Sequence, residues 1–175
     1  MKPAHRQAVS EVSILPDSRD DSLELSDLIG EVYDTVLDQS LWQGVIERAA
    51  RFVRGSGASL FSKNVANQEG SVQYEFGIDP HYKRLYFEKY VMLDPATTGH
   101  FLAEIDQPVA VADLMSPAEF LETRFYREWV QPQGLVDFVS AVLDKSATSA
   151  ALFGVFRSER DGMVDDDTRR RMRLI

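Results

Sequence analysis

Apolar residues fall into two helical stripes at the start of the chain. Between residues 22 and 37, Leu25, Leu28, Ile29, Val32, Tyr33, Val36 and Leu37 recur at the spacing of three and four that gathers side chains on one side of an α-helix. Ser22 is a suitable N-cap. Asp38-Gln39-Ser40 breaks the stripe, and a second helix over 41–54 carries Trp42, Val45, Ile46, Ala49, Ala50 and Val53 in phase. Gly55-Ser56-Gly57 stops it. The period then shortens to two. Residues 58–65 read as a strand centred on Leu60 and Phe61, residues 67–70 as a turn, and 71–77 as a second strand. In that strand Val72, Tyr74 and Phe76 alternate with Gln73 and Glu75, and the pair forms a hairpin.

A helix follows, with Asp79 as N-cap and Pro80 in its first turn. Tyr82, Tyr86 and Tyr90 are spaced by four along it, on one face. It ends before Asp94, which Pro95 pushes out of the helical region. A short helix over 100–103, a third strand over 108–113 and a helix opened by the Ser116–Glu119 capping box come next. That last helix carries Phe120, Leu121, Phe125, Tyr126, Trp129 and Val130, and Gln131-Pro132-Gln133-Gly134 stops it. Residues 135–143 and 149–157 are the fourth and fifth strands. A final helix begins near Val164, with aspartates in its first turn and Arg169, Arg170, Arg171 and Arg173 at its end, as the helix dipole favours. Strands in successive pairs predict an α+β fold: an antiparallel five-stranded sheet flanked by helices, with a pocket beneath the middle helices. Residues 1–21, with Pro3, Pro16 and the charged Asp17-Ser18-Arg19-Asp20-Asp21, read as a flexible N-terminal arm. Residues 22–163 form the body and 164–175 a C-terminal helix whose pattern is still running at Ile175.

Composition narrows the chemistry. A chain of 175 residues fits one domain. It has no cysteine, which excludes disulfides, thiolate metal sites and thiol nucleophiles and fits a reducing compartment. No apolar run is long enough to span a membrane, and Met1-Lys2-Pro3 opens no signal region, so a cytoplasmic location is expected. The formal net charge of −9 argues against this segment gripping nucleic acid itself. His5, His81 and His100 are scattered without metal-ligand spacing, so neither metal nor cofactor is expected. Neither a nucleophile elbow nor a phosphate loop occurs.

What remains is the tyrosine helix ending in Asp94. Tyrosine rings offer apolar area with a polar tip, and a fixed carboxylate beside them suits a small molecule with polar groups. The competing reading is an aromatic core in which Asp94 caps the segment after it. Phe125 and Trp129, four apart, line the same pocket or pack on the sheet. The candidate ligand-binding residues are Tyr74, Phe76, Tyr82, Tyr86, Asp94, Phe125 and Trp129. Asp94 is also the one candidate for acid–base chemistry, but no second group stands at a recognisable spacing, so a non-enzyme is expected. A ligand-free dimerisation module is the third reading.

The tyrosine helix with its Asp94-Pro95, followed by Phe125-Tyr126-Arg127-Glu128-Trp129-Val130-Gln131-Pro132-Gln133-Gly134-Leu135, resembles the autoinducer-binding-like half of LuxR-family helix-turn-helix regulators, with a PAS/GAF-like α-β-α sandwich. The resemblance covers residues 23–175. It implies a bacterial signal-sensing domain, a homodimer through helix 1 and the final helix, and DNA binding only through a helix-turn-helix domain that this chain lacks. It also implies that Asp94 accepts from a ligand amide and that Tyr86 lines the acyl side. Tyr82 falls where quorum sensors carry a tryptophan that donates to the lactone carbonyl, and its spacing to Asp94 is one residue short. The fold carries over more directly than the ligand.

Overall fold

The computed structural model describes residues 17–175 apart from Val65 and Gln68. The expectation of an N-terminal arm therefore lies, for residues 1–16, outside the described residues. Residues 17–21 belong instead to the first helix, α1 (Asp17–Asp34), so Ser22 is inside it and not its cap. A 3₁₀ turn (Gln39–Leu41) leads to α2 (Trp42–Phe52), then β1 (Gly57–Asn64) and β2 (Glu69–Phe76). The middle of the chain is α3 (Pro80–Leu85), α4 (Ala96–Leu102), β3 (Pro108–Ala110) and α5 (Pro117–Glu122). The chain closes with β4 (Leu135–Lys145), β5 (Ser149–Ser158) and α6 (Asp166–Met172). The strands form one antiparallel five-stranded sheet in the order β2-β1-β5-β4-β3, and the fold is α+β as the pattern predicts.

The predicted helix starts hold at Asp79 and Ser116. Asp79 accepts from His81 N, and Ser116 and Glu119 form the reciprocal capping box. Two features have no counterpart in the pattern. The chain runs on from α3 into a π-helical turn over Tyr86–Tyr90, and a second π-helical turn spans Tyr126–Val130. In the first, Val91 N donates to Tyr86 O, one residue beyond the α-helical partner. The predicted third strand is also shorter, because Val111–Asp113 turns into a 3₁₀ helix held by Asp113, which accepts from Ala110 N.

The sheet has two unlike faces. On one, Ala58, Leu60, Tyr74, Phe76, Val139, Ala141, Phe153 and Val155 pack against α1 and α2, whose Leu28, Val45, Ile46, Ala50 and Phe52 are buried. Met172 of α6 joins them, and Arg171 fixes that helix, bonding Asp167, Asp21 of α1 and the Phe52 carbonyl. On the other face lies an aromatic cluster built from the π turns and from Phe120, Phe125, Phe138 and Phe156. A bulge decides which side each β2 residue takes. Leu60 pairs with Tyr74 but Phe61 pairs with Val72, so Gln73 is the extra residue. Beyond it the faces exchange: Val72 and Glu75 point to the aromatic side, and Tyr74 and Phe76 to α2.

Candidate functional site

A cavity of about 40 Å³ lies between the aromatic face of the sheet and the middle helices. β1 contributes Ser59 and Phe61, β2 Val72 and Glu75, β4 Phe138 and Ser140, and β5 Gly154 and Phe156. The helices contribute Tyr86 and Phe87 from the first π turn, Asp94, His100 of α4, and Phe125 and Trp129 at the second π turn. Trp129 stacks on Phe125 with ring centroids 5.1 Å apart and tilts over Tyr86 at 5.3 Å. Its indole N–H donates to the Tyr82 carbonyl at 2.8 Å, which ties the two π-turn segments together. Tyr90 and Lys89 reach Glu128 across the same gap at 3.0 Å each.

Asp94 is the hub of a buried polar network. Its Oδ1 accepts from Ala96 N at 2.9 Å and caps α4. Its Oδ2 accepts from the Tyr86 hydroxyl at 2.7 Å and faces Lys63 Nζ at 3.4 Å. Lys63, on β1, is fully buried, and its ammonium also donates to Thr97 Oγ1 at 2.9 Å. Thr97 in turn donates to the Val91 carbonyl. Burial pulls the Lys63 pKa down while Asp94 pulls it back up. Burial, then the neighbouring Asp94 charge, hold the Tyr86 pKa well above its ordinary value, so it stays a phenol and a donor.

One turn beyond Thr97, His100 is buried with its Nε2 at 2.5 Å from Ser140 Oγ. Burial, with the Lys63 charge, brings its pKa down to about 3, so the ring is neutral at pH 7. His100 Nδ1 and Glu75 Oε2 are the buried side-chain polar atoms left without a partner among the described residues. The other Glu75 oxygen pairs with Lys83 Nζ at 2.6 Å. No group of three or more His, Asp or Glu gathers as a metal site among the described residues, nor does any helix there have the length and apolarity to cross a membrane.

The architecture has counterparts among solved structures. The ligand-binding domain of VqsR from Pseudomonas aeruginosa superposes with a TM-score of 0.64 at 12% identity, over 85% of this chain and 94% of that one. CepR2 from Burkholderia cenocepacia, described as an N-acylhomoserine lactone dependent LuxR-family transcription factor, gives 0.65 at 14% identity, over 88% and 87%. The GAF domain of a phosphoenolpyruvate-protein phosphotransferase from Coxiella burnetii gives 0.56 at 13%, over 89% and 87%. The fold is that of LuxR-type ligand-binding domains and GAF domains. No family model and no curated protein matches the sequence.

Within this LuxR-type fold the candidate residues separate. Tyr86, Asp94, Phe125 and Trp129 meet at the cavity. Tyr74 and Phe76 do not: the bulge at Gln73 turns them to the opposite face, where Tyr74 stacks on Trp42 with centroids 5.5 Å apart. Tyr82 packs at the edge of the aromatic cluster and gives its backbone carbonyl to Trp129, but it does not line the cavity. The looser winding after Leu85 separates the three tyrosines, and Tyr90 sends its hydroxyl to Glu128. Sequence reasoning missed Lys63, His100, Ser140 and Glu75. Ser59, Phe61 and Lys63 do share a strand face by alternation, which was the one signal for the lysine.

Proposed function

We propose that this chain is the small-molecule-sensing regulatory domain of a LuxR-type transcriptional regulator, with its ligand held between the sheet and the π-turn helices. The observation that carries this reading is the aromatic-walled cavity with a carboxylate, a phenol and a buried imidazole around it. The helices that roof it also cross-link to each other, so a ligand that spreads or tightens them changes their packing. Ligand then selects one of two arrangements by its differential affinity. Exposed Ile29, Tyr33, Val36 and Leu37 on and just after α1 supply an apolar surface for a homodimer in a bacterial cytoplasm. DNA binding belongs to a helix-turn-helix domain outside this chain. Residues 22–163 act as the sensor and the C-terminal segment transmits the signal.

The ligand differs from an acyl-homoserine lactone in this reading. A cavity of about 40 Å³ admits two or three waters, well below the several hundred Å³ of a drug-sized site. Asp94 Oδ2 already has Tyr86 and Lys63, and the Trp129 N–H is taken by Tyr82. The same facts favour one competing reading, a ligand-free dimerisation module in which Lys63 fills the place of a ligand donor. Catalysis by Asp94 is disfavoured, since that carboxylate is committed to a cap and an ion pair.

Thermal-shift screening of small soluble metabolites separates the two. The sensing reading expects at least one compound to raise Tm in a saturable way, and Trp129→Ala or Phe125→Ala to abolish the rise while Tyr74→Phe leaves it. A screen without a binder, together with a dimer whose assembly no compound alters, favours the ligand-free module.

A further inference from the structure

The cavity floor is a polar row that crosses the sheet. Glu75 on β2 pairs with Ser59 on β1, Ser59 with Gly154 on β5, and Gly154 with Ser140 on β4. All four line the cavity, so its floor reads carboxylate, hydroxyl, bare backbone, hydroxyl. Three interstrand steps span roughly 14 Å. At the Ser140 end stands His100, fully buried, with Nδ1 unpartnered. At the other end Glu75 has one buried oxygen without a partner. The Glu75 end is the open one: the side chains of Glu75 and Lys83 are 22% and 36% exposed. Phe61, Tyr86, Phe125, Trp129, Phe138 and Phe156 enclose the rest with aromatic rings.

Each element of this row selects chemistry. A buried carboxylate oxygen needs a donor, and a charged donor makes the stronger bond. Ring faces attract cations and repel anions. Lys83 and Lys63 offer no free anion site, because each is engaged by a carboxylate, Glu75 and Asp94. Gly154 leaves the middle of the floor bare: a Cβ there meets the Phe61 ring at 3.4 Å and Ser140 Cβ at 3.9 Å. We infer that the cavity takes a compact ligand whose outer end donates to Glu75 and whose inner end bonds His100. A primary amine is preferred over an alcohol at the Glu75 end, and a carboxylate is rejected. The inference rests on the cavity being the ligand site and adds the ligand class.

The test titrates the full 175-residue chain with 3-amino-1-propanol, 1,3-propanediol and 3-hydroxypropionate, which share a short carbon skeleton and a hydroxyl that can bond His100, by isothermal calorimetry or NMR. The amine is expected to bind about tenfold more tightly than the alcohol, with 3-hydroxypropionate weaker than both. Glu75→Gln brings the amine down to the alcohol's affinity. Gly154→Val, or Val72→Trp if that variant fails to fold, abolishes binding of both. 3-Hydroxypropionate binding as tightly as the amine overturns the inference, as does an amine affinity indifferent to Glu75→Gln, or a failure of all three probes to bind. Amine binding that survives both cavity-filling variants overturns the cavity as the ligand site as well.

Discussion

The two faces of the sheet are built on different principles. The face toward α1 and α2 is filled by aliphatic residues together with Trp42, Phe52, Tyr74, Phe76 and Phe153, and holds its helices by area. Its buried charges, Asp137, Arg157 and Arg171, lie at the margin and staple α6 and the segment before it, where Val164 N donates to Asp137. Arg157 bonds Thr168 and the Arg54 and Gly162 carbonyls, and Arg171 bonds Asp21 and Asp167. The opposite face buries a lysine, an aspartate, a threonine and a histidine in the middle of an aromatic cluster. A buried ion pair is poor value as a stabiliser compared with apolar packing of the same volume. Polar groups retained there, beside a cavity and two π turns, support the proposed binding role, and the apolar face is scaffold.

Substitutions that unsettle this contrast range from large to small. Asp94→Ala strands the Lys63 ammonium in the interior and is expected to cost about 3–5 kcal/mol in urea unfolding. Lys63→Met in the same chain should recover most of that loss, a coupling that identifies the pair. On the scaffold face, Leu28→Ala is expected to cost ~2–5 kcal/mol, with no polar partner whose removal rescues it. If Asp94→Ala costs under 1 kcal/mol, the two faces are not different in kind.

A pH series reads the same contrast through His100. Folded, the ring stays neutral down to about pH 3, whereas in the unfolded chain it takes a proton near the ordinary 6.5. Below 6.5 the unfolded state therefore binds a proton that the folded state refuses, and stability falls as pH drops toward 3. The slope is at most about 1.4 kcal/mol per pH unit. Unfolding midpoints at about pH 7, 6 and 5 should show it, and His100→Gln should flatten it; an unchanged slope in that variant would place the titration elsewhere.

The smallest effect is a matched pair of lost hydroxyls. Tyr86→Phe removes a 2.7 Å bond to Asp94 and should cost about 1–2 kcal/mol. Tyr74→Phe, on the scaffold face, removes a hydroxyl without a hydrogen bond among the described residues and should fall within about 0.5 kcal/mol of the parent. Equal losses would erase the distinction.

Much of the fold was legible because its helices and strands follow their own periods and their ends carry chemical punctuation. Asp79-Pro80, Ser116–Glu119 and Gly134 each mark a boundary that the structure keeps. The site was legible only in part. Asp94 with Tyr86, and Phe125 with Trp129, come together as their spacing implies. Tyr74 and Phe76 were misplaced because the one-residue bulge at Gln73 reverses alternation, and nothing in Ser71-Val72-Gln73-Tyr74 announces it. The tyrosine wall was misread because a π turn relaxes helical spacing without a proline or glycine to mark it. Lys63 and His100 escaped notice because their partners lie 31 and 40 residues away, and pairing at that range is a property of topology.

The chain's two tryptophans, Trp42 and Trp129, sit on opposite faces of the sheet. Labelling with 5-fluorotryptophan therefore places one ¹⁹F probe on the scaffold and one in the cavity. Pooled small metabolites titrated against this chain should contain binders that move the Trp129 resonance and leave Trp42 in place. Binders that move Trp42 alone, or a panel that moves neither, would contradict the assignment of the aromatic face as the sensing site.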